Sequence, residues 1–221
     1  MNYSLFIATP SYEGKVTVPY LLSFADTLGY LKDKGIKTSF EIRKSSTLLP
    51  TERNILFENF YQSDATHMLC VDADMGWEAA DVVSMLLKNK DIICGAYISR
   101  HEHDLYVFQP YSDDPKHMVS SNGLIRIKSI GMGFMLISRT AIQRMRDNLL
   151  QYKYEQPSID LTTKKGYAFC DTEVRNGVHY GEDYTFCYRA ELSGNEIWVD
   201  PTIKLNHAEK VGTLKDILPW Q

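Results

Sequence analysis

His67-Met68-Leu69-Cys70-Val71-Asp72-Ala73-Asp74 is the stretch on which the reading of this chain turns. Its first five residues form a continuous apolar run of the kind found in strands covered on both faces, and the run ends abruptly in two carboxylates. Two acids held two residues apart can converge on one hard cation, Mg²⁺ or Mn²⁺, and a bound dication would relieve their mutual repulsion. The same tripeptide also suits a solvated turn, because Asp readily bonds its own backbone.

Toward the N-terminus the segments alternate. Tyr3 to Thr9 is rich in β-formers and predicts a buried strand that stops at Pro10. Thr17 as a cap, Pro19 in the first turn and Leu22, Ala25, Leu28 and Leu31 at helical spacing predict a helix closed by Gly35. A strand over Thr38 to Ile42 follows. After Pro50-Thr51, the residues Ile55, Leu56, Phe57 and Phe60 mark a second amphipathic helix.

Toward the C-terminus the alternation continues. Trp77 to Leu87 reads as a helix, Ile92 to Ile98 and Ile125 to Ile130 as strands, and Phe134 to Ile137 as another strand after Gly131-Met132-Gly133. Arg139 to Leu149 reads as a helix. Leu150 to His179, with Pro157, Gly166 and Gly177, reads as an irregular loop with room for function. Glu182 to Leu192 has helical spacing and stops at Gly194, and Ile197 to Val199 is expected to be the last strand. The pattern predicts an α/β sandwich with a mostly parallel central sheet, and ligands then belong at the carboxyl ends of its strands.

The 221 residues, 44% of them hydrophobic, are enough for one domain over 1–221, which can also be one part of a longer polypeptide. With 24 basic and 28 acidic residues the net charge is −4, which argues against a footprint for nucleic acid. Cys70, Cys94, Cys170 and Cys187 are widely spaced and read as reduced, mostly buried thiols. No stretch reaches the roughly 20 apolar residues of a membrane span, and Leu5 to Ala8 is too short for a signal-peptide core. A soluble cytoplasmic protein is expected.

Two further signals lie downstream of the acidic pair. Gly181-Glu182-Asp183 opens a helix, where acids serve either the helix dipole or chemistry. Leu205-Asn206-His207 follows the last expected strand, where His207 is a metal ligand or a surface residue. His101-Glu102-His103-Asp104 lacks the spacing of a zinc protease and reads as a solvated loop. Tyr106 to Tyr111 reads as half-buried packing rather than a sugar platform, and Trp198 as core. Gly131-x-Gly133 lacks the third glycine and the strand–helix placement of a dinucleotide fingerprint.

In order along the chain, Ala8-Thr9-Pro10-Ser11-Tyr12, Arg53-Asn54, Leu69 to Asp74, Gly131-Met132-Gly133-Phe134, Gly181-Glu182-Asp183 and His207 resemble a GT-A glycosyltransferase. Nearly the whole chain is covered, and it is most similar to the compact glycosyltransferase domains of large DNA viruses such as chlorella viruses, for which a host-cytoplasmic location follows. The resemblance implies that Thr9, Pro10 and Tyr12 line the nucleoside pocket and that Arg53 touches the donor. It implies that Asp72 faces the ribose or sugar beside Ala73 and the metal, while Asp74 and His207 ligate the metal. Gly131 to Phe134 would form the floor beneath the sugar. Asp183, with Glu182 beside it, would face the acceptor hydroxyl as base if the reaction inverts, or position the acceptor if it retains.

The implied reaction is metal-dependent transfer from a UDP-sugar, with Mn²⁺ or Mg²⁺, to a glycan or glycoprotein acceptor. Two alternatives from other classes are a non-catalytic nucleotide-sugar or glycan-binding module and a nucleotidyltransferase. Intact Asp72, Asp74, Asp183 and His207 weigh against the first. Pro10-Ser11-Tyr12-Glu13-Gly14-Lys15, a poor phosphate loop, weighs against the second. The sugar and the oligomeric state are not legible.

Overall fold

A computed structural model describes residues 3–45, 48–99, 106, 108–112, 114, 118–153, 165–207 and 210–213. The chain runs β1 (Ser4–Tyr12), α1 (Val18–Asp33), β2 (Lys37–Ser45), α2 (Leu49–Gln62), β3 (His67–Val71), β4 (Met75–Gly76), α3 (Ala79–Leu87) and β5 (Ile92–Gly95). It continues through β6 (Phe108–Pro110), β7 (Ile125–Ile130), β8 (Phe134–Ser138), α4 (Arg139–Arg146), β9 (Gln151–Lys153), β10 (Lys165–Tyr167), β11 (Glu173–Arg175) and β12 (Val178–Tyr180). It closes with α5 (Glu182–Leu192), β13 (Ile197–Asp200), β14 (Lys204–His207) and β15 (Lys210–Thr213).

An eight-stranded sheet in the order β2-β1-β3-β8-β5-β13-β7-β6 forms the centre. β8 is antiparallel to β3 and β5, and β7 is antiparallel to β13 and β6. β1 is parallel to β2 and β3, and β13 to β5. All strands of this sheet except β7 and β8 therefore point one way. The mostly parallel expectation holds for strand direction, while two reversed strands make the neighbour pairing mixed.

Alternation along the buried strands sends side chains to two separate cores. Phe6, Ala8, Met68 and Cys70 face one core, which α2, α4 and α5 cover with Phe57, Phe60, Ile142 and Phe186. Leu5, Ile7, Leu69 and Val71 face the other, which α1 and α3 cover with Tyr20, Leu31, Val82 and Met85. A sheet covered on both faces needs apolar residues at consecutive positions, which is why His67 to Val71 is an unbroken run. All four cysteines are free and buried.

Several boundaries depart from the sequence reading. β1 continues through Pro10 to Tyr12, because its ladder to β3 ends at Ala8 and a residue lacking an N–H is tolerated where one side is unpaired. β5 ends at Gly95, α3 begins at Ala79 and α4 ends at Arg146. Leu150 to His179 is not uniformly irregular. It forms two hairpins, β9–β10 and β11–β12, the second turning at Asn176 and Gly177 with φ of 52° and 78°. Phe169 between them is fully buried and stacks on Phe57 at 4.8 Å. Pro157 and the His101 to Asp104 segment lie outside the described residues. β13 is not the last strand, since β14 and β15 follow. Trp198 is half-buried rather than core, with the Lys90 ammonium 4.2 Å over its ring.

Helix α2 is covered almost all round, so its polar residues need internal partners. Asn54, fully buried, donates to Tyr152 Oη at 2.9 Å and Asp171 Oδ1 at 2.7 Å and accepts from the Cys170 N–H at 2.8 Å. Glu58 pairs with Arg146 and Glu52 with Arg43. Arg53, the one cation of this helix and itself buried, turns toward Asp72 at the end of β3.

Candidate active site

The acids of Asp72-Ala73-Asp74 stand where β3 stops. The turn is held by Met75 N–H on the Asp72 carbonyl at 3.1 Å, by Asp72 N–H on the Gly133 carbonyl at 3.1 Å and by Thr17 N–H on the Ala73 carbonyl at 2.9 Å. Ala73 thus serves through its backbone, which fastens the turn to the start of α1.

The two carboxylates face different partners. Asp72 Oδ1 accepts from Arg53 Nη2 at 2.9 Å, and the same nitrogen lies 3.7 Å from Asp183 Oδ1. Arg53 has only 4% of its side chain exposed. Burial opposes its charge, but Asp72 and Asp183 outweigh that and hold the guanidinium above its ordinary value. Asp183, at the start of α5, is pushed up to about 6 by burial, against the pull of Arg53, with Glu182 and Asp72 adding to the rise. The repulsion that Asp72 was expected to share with Asp74 is relieved by an internal cation, Arg53, rather than by a metal alone.

Asp74 Oδ2 lies 3.6 Å from His207 Nε2. His207 is on β14, not at a loop start, because Asn206 and His207 pair in register with Gly76 and Met75 of β4. It is buried at 6% exposure, so the surface alternative does not hold. Its Nδ1 bonds the Ile98 carbonyl at 2.8 Å, and a carbonyl only accepts, so Nδ1 carries the proton. Nε2 is the ring nitrogen on the side of Asp74.

A carboxylate and a neutral imidazole form a donor set suited to a divalent cation. Among the described residues no group of three or more His, Cys, Asp or Glu side chains gathers as a metal cluster. Asp74 faces His207, whereas Asp72 is directed to Arg53.

Gly131 and Gly133 border the same cluster for a reason the sequence reading missed. A Cβ on Gly131 would collide with the Tyr97 hydroxyl, and one on Gly133 would stand 2.8 Å from Met75 Cε and 2.9 Å from Tyr97 Cζ. Tyr97 Oη accepts the Gly133 N–H at 3.2 Å, and its ring meets His207 edge-on at 4.8 Å. The signal for Tyr97 was its position just beyond the buried strand β5, at the edge where ligands were expected. Extending that strand to Ile98 concealed it.

The β1 residues divide. Thr9 is fully buried with its hydroxyl 2.7 Å from Tyr20 Oη, and Pro10 is buried as well. Of the three residues expected to line a nucleoside pocket, only Tyr12 presents its ring to solvent, at 74% exposure. Tyr106 and Phe108 pack on the core, as the sequence suggested.

No family model matches the chain, and no curated protein matches it. Among solved structures, A197 from STIV superposes with a TM-score of 0.56 and 17% identity over 96% of this chain and 91% of its own. The catalytic domain of Drosophila β1,4-galactosyltransferase 7, in complex with xylobiose, superposes with a TM-score of 0.51 and 13% identity over 94% of this chain and 71% of its own. The six like-directed strands, the acidic turn at the end of β3 and these superpositions together identify the architecture of this chain as the GT-A glycosyltransferase fold.

Proposed function

We propose that this chain is a metal-dependent glycosyltransferase moving a sugar from a nucleoside-diphosphate donor, a UDP-sugar, to a hydroxyl of a glycan or glycoprotein acceptor. The observation that carries the reading is the orientation of His207. Its Nδ1–H is held by the Ile98 carbonyl, which leaves Nε2 and the Asp74 carboxylate 3.6 Å apart at the ligand edge of a GT-A sheet. The uridine and manganese preferences rest on the resemblance to GT-A enzymes.

In this reading Asp74 and His207 hold the cation, which supplies positive charge for the departing diphosphate when bound. The glycosyl–oxygen bond to phosphate breaks with its electron pair leaving on the diphosphate, and a bond forms from the acceptor oxygen to the anomeric carbon. Asp183, raised to about 6, takes the acceptor proton in an inverting reaction, because it is ionised at neutral pH yet more basic than an ordinary carboxylate. Arg53 fixes Asp72 and Asp183 relative to each other. Gly131 and Gly133 make room for Tyr97, whose hydroxyl accepts the Gly133 N–H and braces the floor beneath the sugar.

Calorimetric titration with UDP, GDP and CMP, each with and without Mn²⁺, tests the reading on the intact chain and on Asp74→Ala. UDP is expected to bind only with Mn²⁺, and the variant to lose at least about tenfold in affinity while keeping its melting temperature. Unchanged affinity in the variant would overturn the metal assignment. Failure of every nucleotide to bind with Mn²⁺ would overturn the donor assignment.

A further inference from the structure

The two edges of the central sheet are finished differently. β6, at one end, is three residues long, contains Pro110 and shifts register against β7 between Gln109 and Pro110. A short strand, a proline and an irregular ladder all keep another strand from adding there. β2, at the other end, runs nine residues in unbroken register along β1 and has no proline. Among the described residues no strand pairs with its outer side. Backbone N–H and C=O groups on that side face outward, where a further strand can bond them.

The side chains of this edge are apolar on one face and charged on the other. Phe40 meets Phe24 of α1 edge-on at 5.0 Å yet keeps 53% of its surface exposed, and Ile42, two residues on and so on the same face, keeps 40%. Leu21, one helical turn before Phe24, is 54% exposed. On the α2 face Glu41 lies 3.5 Å from Arg43 and accepts from Asn59 Nδ2 at 2.8 Å, and Arg43 pairs with Glu52.

Those charges select what can add to the edge. A second copy related by a two-fold axis normal to the sheet runs antiparallel to the first, with α1 beside α1, and one residue of β2 then stands opposite its own counterpart. Centred on Glu41 or on Arg43, the pairing opposes like charges. Centred on Phe40, it sets Lys37 against Arg43. Centred on Ile42, it sets Glu41 against Arg43 twice, packs Ile42 on Ile42 and opposes no like charges between residues 39 and 45.

We propose that β2 is a dimer edge through which two copies of this chain pair antiparallel about Ile42, joining their eight-stranded sheets into one. The carboxyl ends of β3 in the two copies, with Asp72 and Asp74, then lie on opposite rims of the joined sheet.

Sedimentation of the intact chain over about 1–100 µM is expected to show a dimer at the upper end. Ile42→Lys brings two ammonium groups together at the axis and should weaken association at least about tenfold, with a melting curve to show that the fold survives. Ile42→Cys tests the register. At the axis the Cα atoms would stand about 4.5–5.5 Å apart, within disulfide reach, so oxidised glutathione should take two electrons from the facing thiols, leave as two thiols and link the copies. The thiols of Lys44→Cys would sit four residues, about 13 Å, apart along the strands and stay unlinked. The four native cysteines are buried, so the introduced thiol is the accessible one. A monomer at every concentration overturns the proposal, as does a dimer indifferent to Ile42→Lys, or linkage through Lys44→Cys but not through Ile42→Cys. Where Ile42→Lys alters the melting curve, linkage of Ile42→Cys decides.

Discussion

Asp72 and Asp74 are separated by a single residue, yet they enter opposite surroundings. Asp72 joins a charged knot with Arg53 and Asp183, in which a nearly inaccessible guanidinium serves two acids. Asp74 leans to the other side, toward an imidazole whose tautomer is set by a backbone carbonyl. The knot carries its own cation, and the other acid lies 3.6 Å from a ring nitrogen. One Asp-x-Asp turn therefore divides its contacts: one acid joins the internal charge of the site, and the other faces an imidazole.

The sharpest way to break this division is Arg53→Met. Removing the shared cation leaves Asp72 and Asp183 without compensation in a poorly solvated place, and the expected cost is about 3–5 kcal/mol, read from the urea unfolding midpoint. A change below about 1 kcal/mol would show that the two acids do not depend on Arg53.

The next largest effect is the pH dependence tied to Asp183. Its folded value of about 6 lies above the ordinary 3.8, so the folded state holds more protons than the unfolded one between these values. Stability is then expected to fall as pH rises from about 4 to about 6, by up to about 3 kcal/mol. The groups facing this carboxyl are Arg53, Glu182 and Asp72. Asp183→Asn should flatten that slope and, if the residue is the base, lower transfer by about 10²- to 10⁴-fold. A slope that persists in the variant would assign the titration to another group.

A smaller effect sharpens the role of Tyr97. Gly131→Ala is expected to cost about 1–3 kcal/mol by driving a methyl into the Tyr97 hydroxyl, and Tyr97→Phe in that background should recover part of the loss. On its own, Tyr97→Phe should cost about 1 kcal/mol by leaving the Gly133 N–H without its acceptor. Additive losses in the double variant would show that the hydroxyl is not what excludes a side chain at Gly131.

The acidic turn and the helix-opening acids were legible because each rests on a local rule, whereas the order of the motifs spoke only through the family resemblance. A buried strand must be apolar throughout and must end where polarity returns, and a helix start favours acids. The two hairpins inside Leu150 to His179 were less legible, because strands of three residues carry almost no period of their own. Phe169 enters the core between them by stacking on Phe57, a contact with no local trace.

By itself, then, the sequence determined the alternating α/β architecture and the placement of Asp72 and Asp74 at a strand end, both consequences of short-range periodicity and polarity. The tertiary structure alone decided that Arg53 is the counter-ion of Asp72, that His207 faces Asp74 and that Tyr97 demands glycine at 131. Those contacts depend on the β14–β4 register and on the packing of α2 under the sheet. Pairings between distant segments are set by how whole elements dock, and no residue's neighbours along the chain encode them.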